Sequence, residues 1–177
     1  MEPYDGYTFL VAHAVDEGVA DGRFGTQEVD VFVGENYLVT YHKRQVKSIF
    51  DTRGQVAKNP GSLLRTPDWL LQCIVDAMLD NYGPALRHMD QRVSDLEAVA
   101  SDLSRATQSG VADAQKLRQE AFHLHRIAVL ERSILDQMRR GEPTWVAAEN
   151  QVYFRNLYSR MGRILQTAEW HREAVLG

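Results

Sequence analysis

Two hydrophobic periods follow one another along this chain. Between Tyr7 and Tyr41 apolar and β-branched residues fall in short runs that alternate with polar ones, whereas beyond Trp69 they recur every three or four positions. The first period predicts strands over "YTFLVAHAV" (Tyr7 to Val15), "EVDVFV" and "NYLVTYH". Val29, Val31 and Val33 fall on one face, and Leu38 and Thr40 alternate with Val39 and Tyr41. Gly34-Glu35 reads as the tight connection of a hairpin. "DEGVADGRFG", with three glycines and mixed charge, reads as a turn or mobile loop. A short helix is expected over Val46 to Val56, burying Ile49 and Phe50, and "AKNPGSLLRTP" reads as a linker. Three strands and one helix leave two open sheet edges, so this region reads as part of a larger sheet.

The second period predicts long helices. Thr66-Pro67-Asp68 combines a capping hydroxyl, a proline in the first turn and an acid at the positive helix end. Leu79, Tyr82, Leu86, Met89, Val93, Leu96, Ala100 and Leu103 then alternate by three and four, a heptad pattern. Gly83-Pro84 interrupts it, and because Pro84 cannot donate to the Asp80 carbonyl, a kink is expected there. "SRATQSGVADA" reads as the turn to a second long helix, Val111 to Arg140, with Leu117, Ala121, Leu124 and Ala128 on its stripe. A short turn between long helices makes them antiparallel neighbours. "RRGEPTW" breaks the chain again, and a last helix starts near Trp145 or Ala148. Its stripe is Phe154, Tyr158, Met161, Leu165, Ala168 and Val175, with no turn to bring it back onto a body. The fold class is therefore α+β, a small antiparallel sheet followed by an antiparallel bundle of long helices. Residues 1–60 form a partial α/β unit and 61–177 the helical one.

Charge and cysteine content narrow the class. A net charge of −4 argues against nucleic acid as the main partner. The basic runs "YHKRQVK" and "QMRRGE" read as solvated faces. Cys73, the single cysteine, sits among Leu70, Leu71, Ile74 and Val75 and reads as a buried thiol in a reducing compartment. No signal peptide is visible at the start. The most apolar stretch, "WLLQCIVDAML", carries Asp76 and falls short of the roughly 18 apolar residues of a membrane span.

The sequence contains no glycine-rich phosphate loop, nucleophile elbow or zinc-protease helix, so no catalytic motif marks it as an enzyme. His123 and His125, two apart on a helix, point in different directions and cannot share an ion. Asp76 and Asp80 lie at i, i+4 and share a face, where their carboxylates can face a hard divalent cation or simply water. In "VYFRNLY", Phe154, Leu157 and Tyr158 read as bundle core, with Arg155 exposed.

Three blocks together resemble the CorA-type divalent-cation transporters. "EVDVFVGENYLVTYH" resembles that family's hairpin, "TPDWLLQCIVDAMLDNYGPAL" its next helix, and "YFRNLYSRMGRILQTAEWHREAVLG" the first part of its stalk helix, in family order over roughly residues 5–177. The resemblance implies the cytoplasmic side of a membrane protein, here without its transmembrane part, and no catalytic residue. It implies a funnel-shaped homopentamer closed by magnesium held between subunits. Asp76 matches an acidic position of the regulatory site, with Asp80 beside it, and the stalk aspartate of some members is Asn156 here, which brings an oxygen but no charge. Asp76 with Asn156 of an adjacent subunit is thus expected to be a weakened magnesium site. A zinc-transporting branch of the same fold stays open, as does a soluble helical scaffold, for which the heptads alone would suffice.

Overall fold

A computed structural model describes residues 1–15, 24–100 and 108–175. Four strands, β1 (Glu2–Tyr4), β2 (Tyr7–Ala14), β3 (Gln27–Gly34) and β4 (Leu38–Tyr41), form an antiparallel sheet in sequence order. The hydrophobic pattern predicts the last three; β1, three exposed residues long, is too short to show a period. Register places Leu10 opposite Val31 and Ala12 opposite Val29, so the alternation expected for β3 becomes one apolar face. Val29, Val31 and Val33 are fully buried.

The hairpin differs in detail. Gly34 belongs to the ladder, opposite Tyr7, and Glu35, Asn36 and Tyr37 make the connection, closed by Gly34 N–H donating to the Tyr37 carbonyl at 3.0 Å. A Cβ on Gly34 would stand 2.2 Å from the Tyr37 ring, which is why glycine is needed there. The glycine-rich loop expected after β2 falls mostly outside the described residues.

The helices are α1 (Lys47–Lys58), α2 (Pro60–Leu63), α3 (Pro67–Asp80), α4 (Tyr82–Ala100), α5 (Gln108–Arg139) and α6 (Gln151–Ala174). α1 corrects one expectation. It buries Ser48 and Thr52, while Ile49 is half-buried and Phe50 is 58% exposed. Buried Val46 fixes the helix phase, and Thr52 satisfies its hydroxyl by donating to the Ser48 carbonyl at 2.8 Å. The expected linker contains the single-turn helix α2. The heptad run divides at Asn81, just ahead of Gly83-Pro84, but Leu79, Tyr82, Met89 and Val93 stay buried across the break. Cys73 is half-buried, and burial followed by the nearby Asp76 charge raises its thiol pKa.

Part of the expected turn is helix: α5 starts at Gln108, while Leu103 to Thr107 lie outside the described residues. Leu117, Ala121, Leu124 and Ala128 are all fully buried, as their spacing requires. α5 ends in a Schellman turn: Glu142 N–H donates to Gln137 and Gly141 N–H to Met138, with Gly141 at φ 67°. Trp145 then anchors the connection to the sheet, its indole N–H donating to Thr8 Oγ1 at 2.8 Å. A 3-10 turn, Ala148–Asn150, leads into α6.

α3 and α5 cover the inner face of the sheet, and α6 packs on α5, α3 and α4. The expectation that the last helix finds no body is therefore corrected. Phe154, Leu157, Met161, Ile164 and Ala168 are buried, and they join the strand valines and the α5 stripe in one continuous core. An amphipathic helix of this length gains most by laying its apolar stripe on a neighbour. The opposite side of α6 is open, with Val152 and Trp170 nearly half exposed.

Candidate functional site at the α3–α6 junction

α3 begins where its sequence says it should. Thr66, in extended conformation, accepts from Trp69 N–H at 3.4 Å, and Pro67 opens the first turn. Asp68 does more than complement the helix dipole. Only 1% exposed, it accepts from Ala147 N–H and from Asn150 Nδ2, both at 2.9 Å, and so fastens the start of α3 to the start of α6. Burial pushes its pKa up, but hydrogen bonds from Thr66, Asn150, Ala147 and Trp69 outweigh that and lower it.

Further along α3 the i, i+4 spacing puts Asp76 and Asp80 on one face, and that face meets α6. The Arg160 guanidinium reaches both: Nη1 bonds Asp76 Oδ1, and Nη2 bonds Asp80 Oδ1 at 2.5 Å. Asn156, exposed one turn earlier on α6, shares the Arg160 side of that helix. Asp76 and Asp80 are thus brought together, by an arginine that sequence reasoning passed over. The usable signal was the i, i+4 acid pair facing a helix with an unmatched cation, but which helix faces α3 is not a local property.

These residues do not fit a resident magnesium ion. Magnesium takes about six oxygens at roughly 2.1 Å and needs anionic charge. Here one oxygen of each carboxylate is held by a guanidinium of the same chain, and Asn156 adds no charge. Among the described residues no group of three His, Cys, Asp or Glu side chains is placed to hold a metal.

Two other polar contacts were not foreseen. His171, fully buried on α6, holds Asp90 of α4 at 2.6 Å through Nε2, while its Nδ1 has no partner among the described residues. Glu131 of α5, its side chain 12% exposed, accepts from His13 N–H of β2 at 2.6 Å and lies 3.1 Å from the Tyr82 hydroxyl. Burial raises its pKa to about 7, against the opposing hydrogen bonds from His13 and Tyr82. The tyrosine hydroxyl is also 3.2 Å from the His13 carbonyl. A protonated Glu131 can donate to Tyr82, which then donates to His13, so each polar atom is satisfied in the neutral state.

The expected packing of "VYFRNLY" holds: Phe154 and Leu157 are buried and Arg155 is exposed. Arg132 and Arg139 of α5 lie over the Tyr158 ring, each 4.3 Å from its centre.

A small antiparallel sheet laid on long helices, whose polar residues join elements to one another, is the architecture of the soluble domain of CorA. The chain belongs to the CorA-like Mg2+ transporter protein family, whose pattern matches residues 1–175. It is 24% identical over 179 residues to the cobalt/magnesium transport protein CorA of Thermotoga maritima, covering 100% of this chain and 50% of that protein. The fold matches the soluble domain of CorA from Methanocaldococcus jannaschii with a TM-score of 0.77 at 18% identity, over 99% of this chain and 69% of that one. It also matches the ZntB cytoplasmic domain of Vibrio parahaemolyticus at 0.75 and 12% identity, over 99% of this chain and 68% of that one. The chain spans about half the length of the curated relatives it matches. No helix of the described residues is long and apolar enough to cross a membrane.

Proposed function

We propose that this chain is the cytoplasmic part of a CorA-type transporter that moves magnesium or a similar divalent cation passively through a pore built elsewhere in the same protein. The family match over residues 1–175 carries this reading. In it, residues 1–60 supply a partial α/β unit, residues 61–177 the helical part, and α6 is the stalk that leads to the membrane. The working assembly is a homopentamer at the cell membrane, with subunits arranged around the stalks. The domain's role is to couple cytoplasmic ion concentration to the pore. Asp76, Asp80 and Asn156 are the face toward a neighbouring subunit, and an ion taken there must first displace Arg160.

A zinc-transporting reading shares the fold, as the likeness to ZntB indicates, and differs in cargo. Both are tested by reconstituting the full-length protein in vesicles loaded with a divalent-cation dye. Magnesium entry down its gradient supports the first reading, and entry of zinc alone supports the second. Absence of flux for magnesium, cobalt, nickel and zinc overturns both.

A further inference from the structure

We infer that Arg160 is the built-in cation of the Asp76–Asp80 pair: the chain supplies from its own α6 a positive charge in the place that a divalent ion would otherwise take on this face of α3.

Three observations converge. Asp76 and Asp80 would repel one another at i, i+4 if left alone, so the pair calls for a cation. The guanidinium answers with one amino group on each carboxylate, a two-pronged fit that a planar fork makes and a point charge does not. The third candidate ligand is an amide, Asn156, so it adds nothing to the one negative charge that two carboxylates and one guanidinium leave to draw a second cation in. Half of the pair's charge is thus compensated within one subunit, and one oxygen of each carboxylate is occupied.

The arrangement has a direction. Exposure rises from Arg160, at 28%, through Asp76, at 46%, to Asp80, at 71%, so the acids face water while the guanidinium closes them from behind. A hydrated magnesium ion approaching from solvent meets a pair already half neutralised, and it gives up its waters reluctantly. The consequence is that magnesium must compete with Arg160 for the pair, so closure between α3 and α6 follows the magnesium concentration less steeply with the guanidinium in place. Removing Arg160 should uncover an ion-responsive acid pair.

The inference depends on the transport proposal only for the choice of magnesium as probe. It is tested on the 177-residue chain with Arg160→Gln, and with Arg160→Gln combined with Asp76→Asn and Asp80→Asn. Thermal midpoints are measured against magnesium at constant ionic strength, and Mn2+ broadening of the Asp76 and Asp80 amide signals is followed by NMR. In the unsubstituted chain the midpoint should rise with magnesium less than in Arg160→Gln, and both signals should resist Mn2+ to higher concentration. Arg160→Gln should melt about 1–4 °C lower without divalent ions, recover with magnesium, and broaden at about tenfold lower Mn2+. Both responses should vanish in the triple variant. Equal Mn2+ sensitivity with and without Arg160, or a divalent response that survives in the triple variant, overturns the inference. If Arg160→Gln does not fold, Arg160→Lys keeps the charge but cannot bridge both acids. It should broaden at an intermediate concentration, and behaviour identical to the unsubstituted chain again overturns the inference. None of these outcomes bears on whether the full-length protein conducts ions, which the vesicle assay decides separately.

Discussion

α6 meets its two neighbours on different terms. Toward α5 it presents the apolar stripe from Phe154 to Ala168 and shares a core with Leu117, Leu124 and Ala128. Toward α3 it presents Arg160, with Asn150 of the preceding turn, and receives Asp68, Asp76 and Asp80. Burial of hydrocarbon is non-directional and is not screened by salt, so the α5 flank fixes where the helix lies. Charge pairs are directional, and where exposed they are screened and individually weak, so the α3 flank sets how tightly the start of α6 is held and to what it responds. The two kinds of contact differ in what can change them: the first defines the axis, and the second answers to solution conditions.

The contrast is most sharply broken at Phe154. Phe154→Ala removes a fully buried ring from the α5 flank and should cost about 3–5 kcal/mol in urea unfolding, equally at low and high salt. A cost that shrinks with salt would mean the apolar flank is not what fixes the helix.

Glu131, on the sheet side of α5, should show the next largest effect. Its carboxyl titrates at about 7 when folded and at the ordinary 4.5 when the chain is unfolded, so between those values the folded state holds a proton that the unfolded state has lost. Stability should therefore be greatest below about pH 4.5 as far as this group is concerned. It should fall by about 3 kcal/mol as pH rises through 7. Glu131→Gln should abolish that decline, and an unchanged pH profile of the urea midpoint would refute the assignment.

Asp68 has the opposite sign. Its folded pKa is lowered, so its contribution is present above the unfolded value and is lost as pH falls through the lowered folded value. Asp68→Ala strands the Ala147 N–H, leaves the Asn150 amide only its 3.4 Å contact to Thr66, and should cost about 2–3 kcal/mol, with faster hydrogen exchange at Ala147. Protection at Ala147 that survives the substitution would place the fastening elsewhere. The smallest effect is expected at the α3 cap, where Thr66→Ala should cost about 1 kcal/mol and lower helicity at Trp69 first.

The two buried carboxylates show how far the sequence could be read. Asp68 was placed correctly as a first-turn acid, because Thr-Pro-Asp before an apolar run is a local signal. That it would turn inward to bind residues some eighty positions later was not legible, since nothing near Asp68 encodes Asn150. Glu131 looked like one more charge on a mixed helix, and only the approach of β2 and Tyr82 makes it a buried acid. Phe50 failed for the same reason in reverse. Its hydrophobicity is local, but the phase of α1 is set by what Val46, Ser48 and Thr52 touch.

The sequence by itself determined the period of each segment, the caps and breakers that bound the long helices, and the alternating face of β3, because these depend on neighbours within a turn or a strand. Three of its blocks also sufficed to indicate the family. Tertiary structure alone decided that α6 lies along α5, that Arg160 reaches both Asp76 and Asp80, and that the pKa values of Asp68 and Glu131 shift in opposite directions. Electrostatic environment and pairing are properties of what the fold brings within a few ångströms, and residues remote in the chain supply most of that.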